Sequence, residues 1–173
     1  MKKFLLIVLS LSVLGLASIA NSQTIRIGTE GAYPPWNNLN SAGDLEGAEI
    51  DFGNEACKRM GVTCEWVTQD WDGIIPALLQ GKYDIIIAGM SITEERKEKV
   101  NFTTGYMTDG ARFAVLKNSG LADLNIAGMA KVNLNNAGGK EQAAIGQLIA
   151  AMDGKTVCVQ SSTIHQNFLE KHM

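Results

Sequence analysis

Apolar and polar positions divide this chain into one long hydrophobic run followed by short alternating blocks. Lys2 and Lys3 precede apolar residues from Phe4 to Leu16, and the run ends in the small-residue stretch Ala17-Ser18-Ile19-Ala20-Asn21-Ser22. Charge, a short apolar core and then small residues is the arrangement of a secretory signal peptide. The core is about 13 residues, whereas a transmembrane helix needs about 20 to cross the hydrocarbon layer. Residues 1–22 are therefore expected to be removed on export, with cleavage after Ala20 or Ser22. No Cys stands there to carry a lipid anchor, and the mature chain is expected to be soluble.

Beyond the leader, strand and helix patterns alternate. Thr24 to Gly28 reads as a short strand closed by Glu30-Gly31 and Pro34-Pro35, and Asn40 to Gly47 as a loop or hairpin. Ile50, Gly53, Cys57 and Met60 recur at helical spacing, with Gly61 as the stop. Glu65-Trp66-Val67 resumes as a strand. Asp72 is placed to cap a helix with the apolar face Ile74, Ile75, Leu78 and Leu79, ended by Gly81. Asp84 to Ala88 is apolar without alternation, which predicts a parallel strand buried on both faces. The order βαβαβ predicts an open α/β sheet with right-handed crossovers. Further on, Gln142 to Met152 has helical spacing through Ala144, Ile145, Leu148 and Met152.

In open α/β sheets ligands bind outside the carboxyl ends of the strands. Glu30 to Trp36, Gln69 to Asp72 and Gly89 to Thr93 follow the three predicted strands, so segments rich in aromatics, hydroxyls and carboxylates should share one rim. Each has a plain alternative: Tyr33 and Trp71 as core or turn residues, Ser91 and Thr93 as helix caps. Arg96 is more pointed. It falls in the first turn of the helix started by Thr93, where the macrodipole favours anions, and a bound carboxylate would reverse the mismatch. The competing reading is a solvated charge in the run Glu94 to Lys99, with Glu95 and Lys99 paired at i,i+4.

Composition narrows the classes. Loss of Lys2 and Lys3 leaves 13 basic against 18 acidic residues, which disfavours a nucleic-acid partner. Cys57 and Cys64, seven apart, are expected to pair in an oxidising compartment, the alternative being two buried free thiols. His165 and His172 lie far along the chain from both, so no metal site and no cofactor is expected. Cys158 is left over and is expected to be a buried thiol.

Gly47-Ala48-Glu49-Ile50-Asp51-Phe52-Gly53-Asn54-Glu55 resembles the signature of the periplasmic binding proteins for polar amino acids and opines, whose members include lysine/arginine/ornithine-, histidine- and octopine/nopaline-binding proteins. The likeness continues through Cys57-Lys58-Arg59-Met60, Cys64-Glu65-Trp66-Val67, Trp71 to Leu78, and Met90-Ser91-Ile92-Thr93 with Arg96. It implies an α/β fold of the two-lobe periplasmic binding protein type II. Lobe 1 would span 23–117, nearly complete, and 118–173 would hold the crossover and the beginning of lobe 2.

Carried over by position, Arg96 would hold the ligand α-carboxylate with help from Ser91. Tyr33 and Trp71 would sandwich the side chain, and Glu30 would face its distal end. Ala88 and Gly89 stand where several relatives carry serines, so contacts there must differ. Lys155 to Thr163 resembles the first strand and ligand-facing turn of lobe 2, with Ser162 and Thr163 aimed at the carboxylate, although Cys158 and Ser161 replace usual glycines. An acidic Glu30 beside aromatic faces suits a cationic side chain, so arginine, ornithine, lysine or an opine is the expected ligand. The resemblance further implies a monomeric periplasmic protein that serves the permease and ATPase of an ABC transporter and is not an enzyme. An exported enzyme on the same fold, such as a cyclohexadienyl dehydratase, is the alternative in a different class. The resemblance also implies a longer second lobe than residues up to Met173 supply, so this segment alone is expected to fold poorly or bind weakly, and a non-functional fragment stays open.

Overall fold

The computed structural model describes residues 23–122, 124, 126 and 138–173. The leader at 1–22 and most of 123–137 lie outside these. The chain divides into two compact units, one up to Gly89 and one from Met90.

The first unit is built on a three-stranded parallel sheet in the order β5-β1-β6. β1 (Thr24–Thr29) pairs with β5 (Thr63–Thr68) from Thr24↔Thr63 to Thr29↔Thr68, and with β6 (Ile85–Ile86) at Ile27↔Ile85 and Gly28↔Ile86. Alternation along β1 sorts its neighbours. Ile27 is fully buried and packs with Cys57 and Ile87, ringed by Ile25, Val62, Cys64 and Trp66. Cys57 belongs to α1 (Ala48–Met60), which therefore covers this face. Gly28 points the opposite way, where a Cβ would sit 2.5 Å from the ring of Tyr83. Only glycine permits that approach. Tyr83 is buried, its hydroxyl donates to the Ile74 carbonyl at the start of α2 (Ile74–Leu79), and burial pushes its phenol above the ordinary tyrosine range. The two helices thus flank the sheet on opposite faces, the α/β layering predicted from the pattern.

A second sheet, β2-β3-β4, is antiparallel and made of β2 (Ala32–Tyr33), β3 (Asn37–Leu39) and β4 (Leu45–Glu46). The Asn40 side chain accepts from the Ala42 and Asp44 amides, closing the hairpin expected at 40–47. Cys57 and Cys64 are disulfide-bonded with Cα atoms 6.1 Å apart, tying the end of α1 to β5 across its C-cap Gly61.

Several expectations are corrected. The apolar run at 84–88 is an edge of the sheet: only Ile85 and Ile86 join the ladder, and Ile85 is 41% exposed. β1, not this segment, is central. Asp72 sits inside a 3-10 turn (Trp71–Gly73), and Gly73 occupies the cap position of α2. In α2 the buried pair is Ile74 and Ala77; Leu79 lies two residues, about 200°, around the helix from Ala77 and is exposed. The buried stripe of α1 runs Glu49, Ile50, Gly53, Cys57 and ends there, leaving Met60 exposed at the last residue of the helix.

The second unit holds α3 (Glu94–Lys97), α4 (Gly139–Met152) and α5 (Ile164–His172), and no strand among its described residues. α4 matches the spacing read from the sequence and buries Ala144 and Ile145. The strand expected from Lys155 is not formed, because among the described residues 155–160 has no neighbouring strand to supply its ladder bonds. Cys158, expected to be buried, is exposed. α3 stops at Lys97, so Glu95 and Lys99 have no helical turn on which to pair; the ion pair there is Lys97 with Glu94 at 2.8 Å.

Candidate functional site

Because β5 and β6 run parallel to β1 in register, the carboxyl ends of all three strands open on one edge of the first unit. Glu30 leaves β1 at that edge, Trp71 follows β5 in the 3-10 turn, and Ala88 and Gly89 follow β6. Tyr33 lies on β2, just after the β1 exit. Glu30 and Trp71 are half-buried, Tyr33 is 38% exposed and Ala88 is buried. Gly89 has φ +59°, and a Cβ there would meet the Tyr33 ring at 3.0 Å, so ring and backbone are in direct contact. The structure therefore puts the first-unit residues singled out from the sequence on one rim and joins Tyr33 to Gly89.

Beneath that rim is a buried polar chain that sequence reasoning missed. The Glu49 carboxylate accepts the Asn37 Nδ2–H at 2.7 Å and the Gly89 amide at 2.7 Å. Asn37 Oδ1 in turn accepts the Gly31 amide at 2.8 Å. Glu49 is 2% exposed and Asn37 fully buried. The available signal was the four-residue spacing of Glu49, Gly53 and Cys57, which places a carboxylate on the buried stripe of α1.

In the second unit, Thr93 caps α3, its hydroxyl accepting the Arg96 amide at 3.2 Å. The Arg96 guanidinium donates to the Ser91 carbonyl at 2.8 Å and the Ser162 carbonyl at 3.1 Å. Arg96, Ser91 and Ser162 are thus gathered through main-chain oxygens. Burial pulls the Arg96 pKa below the ordinary arginine range, opposed by the charge of Glu95. Thr163 caps α5: its hydroxyl accepts the Gln166 amide at 3.2 Å and donates to the Gln160 carbonyl at 2.8 Å. Ser162 adopts φ 58°, and its amide donates to the Gln166 side chain at 2.6 Å. The arrangement suits an anion near a half-buried guanidinium in one unit and an aromatic, acidic rim in the other. No group of three or more His, Cys, Asp or Glu side chains arranged for a metal ion occurs among the described residues, and no described helix is long and apolar enough to cross a membrane.

Residues 25–167 match the model of the bacterial extracellular solute-binding proteins, family 3. The chain is 44% identical over 153 residues to the octopine-binding periplasmic protein of Rhizobium meliloti, covering 88% of this chain and 52% of that one. It is 45% identical over 124 residues to the L-arginine-binding protein of Pseudomonas aeruginosa, covering 71% and 48%. Among solved structures, a periplasmic His/Glu/Gln/Arg/opine family-binding protein from Silicibacter pomeroyi, in complex with lysine, is 58% identical over 50% of this chain and 39% of its own, with TM-score 0.48. This chain spans about half the length of the curated relatives it matches.

Proposed function

Because this chain belongs to the bacterial extracellular solute-binding proteins, family 3, we propose that it captures a polar, basic amino acid or opine outside the inner membrane, without altering it. In this reading it is the periplasmic component of an ABC importer, exported by residues 1–22, and hands its ligand to a permease and ATPase. The observation that carries the proposal is the identity of 44% to an octopine-binding protein across 88% of the chain. The relatives named above are binding proteins rather than enzymes.

Roles follow from the chemistry of each unit. Arg96, assisted by Ser91, takes the α-carboxylate, since a partly desolvated guanidinium fork binds carboxylate more strongly than one in water. Ser162 and Thr163 add the start of α5 to the same task. Tyr33 and Trp71 offer ring faces to a cationic side chain, Glu30 offers the opposite charge, and Ala88 and Gly89 leave room beside Tyr33.

Isothermal titration with L-arginine and with octopine tests the proposal. Saturable binding with the ligand recovered unchanged is expected. Arg96→Lys should weaken it by about tenfold or more, because an ammonium cannot reproduce the bidentate geometry. Absence of binding to both ligands, or turnover of a cyclohexadienyl substrate such as prephenate, would overturn it.

A further inference from the structure

We propose that Glu49 and Asn37 are positioning residues of the ligand rim, holding the Glu30–Gly31 exit and the Ala88–Gly89 exit in one fixed relation from below. Ligand roles for Glu30, Tyr33, Ala88 and Gly89 rest on the function proposed above; the positioning itself does not. Glu49 is a carboxylate at the second residue of α1, 2% exposed. Burying such a group is unfavourable unless charge and hydrogen bonds compensate. Here the positive end of α1 and two donors do so, and an apolar side chain would fill the space more cheaply. What the carboxylate adds is the identity of its donors. One is the Gly89 amide, 40 residues away in sequence, at the end of the strand that neighbours β1. The other is Asn37, whose Oδ1 holds the Gly31 amide next to Glu30. Two exits from the sheet are therefore tied to a single side chain, and Gly89 carries the Tyr33 ring against it.

The need for a carboxylate is specific. Asn37 donates to one oxygen of Glu49 and the Gly89 amide to the other, so both oxygens must accept. Glutamine has one acceptor oxygen, and its amide would face either the Gly89 N–H or the Asn37 amide. Turning Asn37 around would relieve that clash only by withdrawing the acceptor from Gly31. Glu49→Gln, nearly identical in shape, must therefore release one exit of the rim.

The test compares the full chain with Glu49→Gln, Glu49→Asp and Trp66→Phe. Trp66 packs against α1, and its indole donates to Asn54 at 2.9 Å, away from the rim, so Trp66→Phe serves as a control for stability alone. At temperatures well below unfolding, Glu49→Gln should weaken L-arginine binding by about tenfold, the scale of one unpaired buried donor. Glu49→Asp, which keeps two acceptors, should recover part of the loss, and Trp66→Phe should lower the thermal midpoint with the dissociation constant unchanged. Amide exchange at Gly31 or Gly89 should quicken in Glu49→Gln while β1 amides stay protected. If Glu49→Gln binds L-arginine within twofold of the parent with Gly31 and Gly89 equally protected, the proposal is wrong. If the parent binds neither L-arginine nor octopine, the functional proposal fails, and exchange at the two glycine amides alone decides this one.

Discussion

Gly89 shows how one missing methyl group shapes the rim. Its left-handed backbone costs an ordinary residue about 1–2 kcal/mol, and a Cβ would also press on Tyr33. Gly89→Ala is therefore expected to lower the unfolding free energy by about 1–2 kcal/mol, and a denaturant titration that shows no change would contradict the geometry. At this scale the sequence was legible where a residue type is out of place for its position. Arg96 in the first turn of a helix drew notice for that reason, and the structure gives it two carbonyl acceptors. Glu49 is equally out of place on a buried stripe. It was hidden because the Gly89 amide that it accepts comes from a segment 40 residues away, which no local pattern reports. Thr93, expected to start a helix, caps α3 through its hydroxyl, and Thr163 does the same for α5.

Among elements, the reading succeeded where one face is buried and failed where burial depends on a distant partner. β5 and α1 carry a periodicity imposed by a single covered face, whereas β1, buried on both faces over Ile27 to Thr29, was marked by the turn residues that close it. The run at 84–88 has the pattern of a strand buried on both faces because four apolar residues follow Asp84 without a break, yet its place at the sheet edge is set by which strands flank it. The segment from Lys155 has no strand beside it among the described residues, so no ladder forms there. Two devices hold the elements together, and each can be tested. The Arg26 guanidinium grips Asp84 at 2.7 Å and the Arg26 amide donates to the same carboxylate at 2.8 Å, joining β1 to the entry of β6. The side-chain bond first, and then the backbone bond, hold the Asp84 pKa below the ordinary carboxylate range. A carboxylate depressed in the folded state stabilises above its unfolded pKa, and that contribution is lost as pH falls through the folded one. The parent should thus lose stability on acidification through and below the carboxylate range, and Asp84→Asn should flatten that slope; equal pH profiles for the two would refute the assignment. Reduction of the Cys57–Cys64 bond should cost about 2–3 kcal/mol, since its loop is short. Denaturation with and without reductant measures it.

For the molecule as a whole, family membership rests on a match that runs through both compact units. The proposed capture of a basic ligand would make stability depend on ligand concentration. At about a hundred times the dissociation constant, L-arginine should add about 2.7 kcal/mol to the unfolding free energy, and L-glutamate should add nothing. A thermal-shift series with the two amino acids reads this directly, and an equal response to both would dispose of the cationic preference. The α/β class, the order of β1, α1, β5, α2 and β6 and the shared rim of their exits could be seen in the sequence, whereas the small sheet β2-β3-β4 could not, beyond its hairpin turn. Ligand choice could not, because it depends on how side chains from separate exits face one molecule.

The parallel register of β1, β5 and β6 has one further consequence. The residues proposed to contact a ligand lie in the turns that follow the strands or, as Tyr33, on the small second sheet, while those that fill the core lie on β1, on α1 and at the entry to β6, so the two sets can change separately. In the proposed reading, ligand preference changes through the few positions between Glu30 and Trp36, around Trp71 and at Ala88–Gly89, while Ile27, Cys57 and Tyr83 keep the architecture beneath them constant.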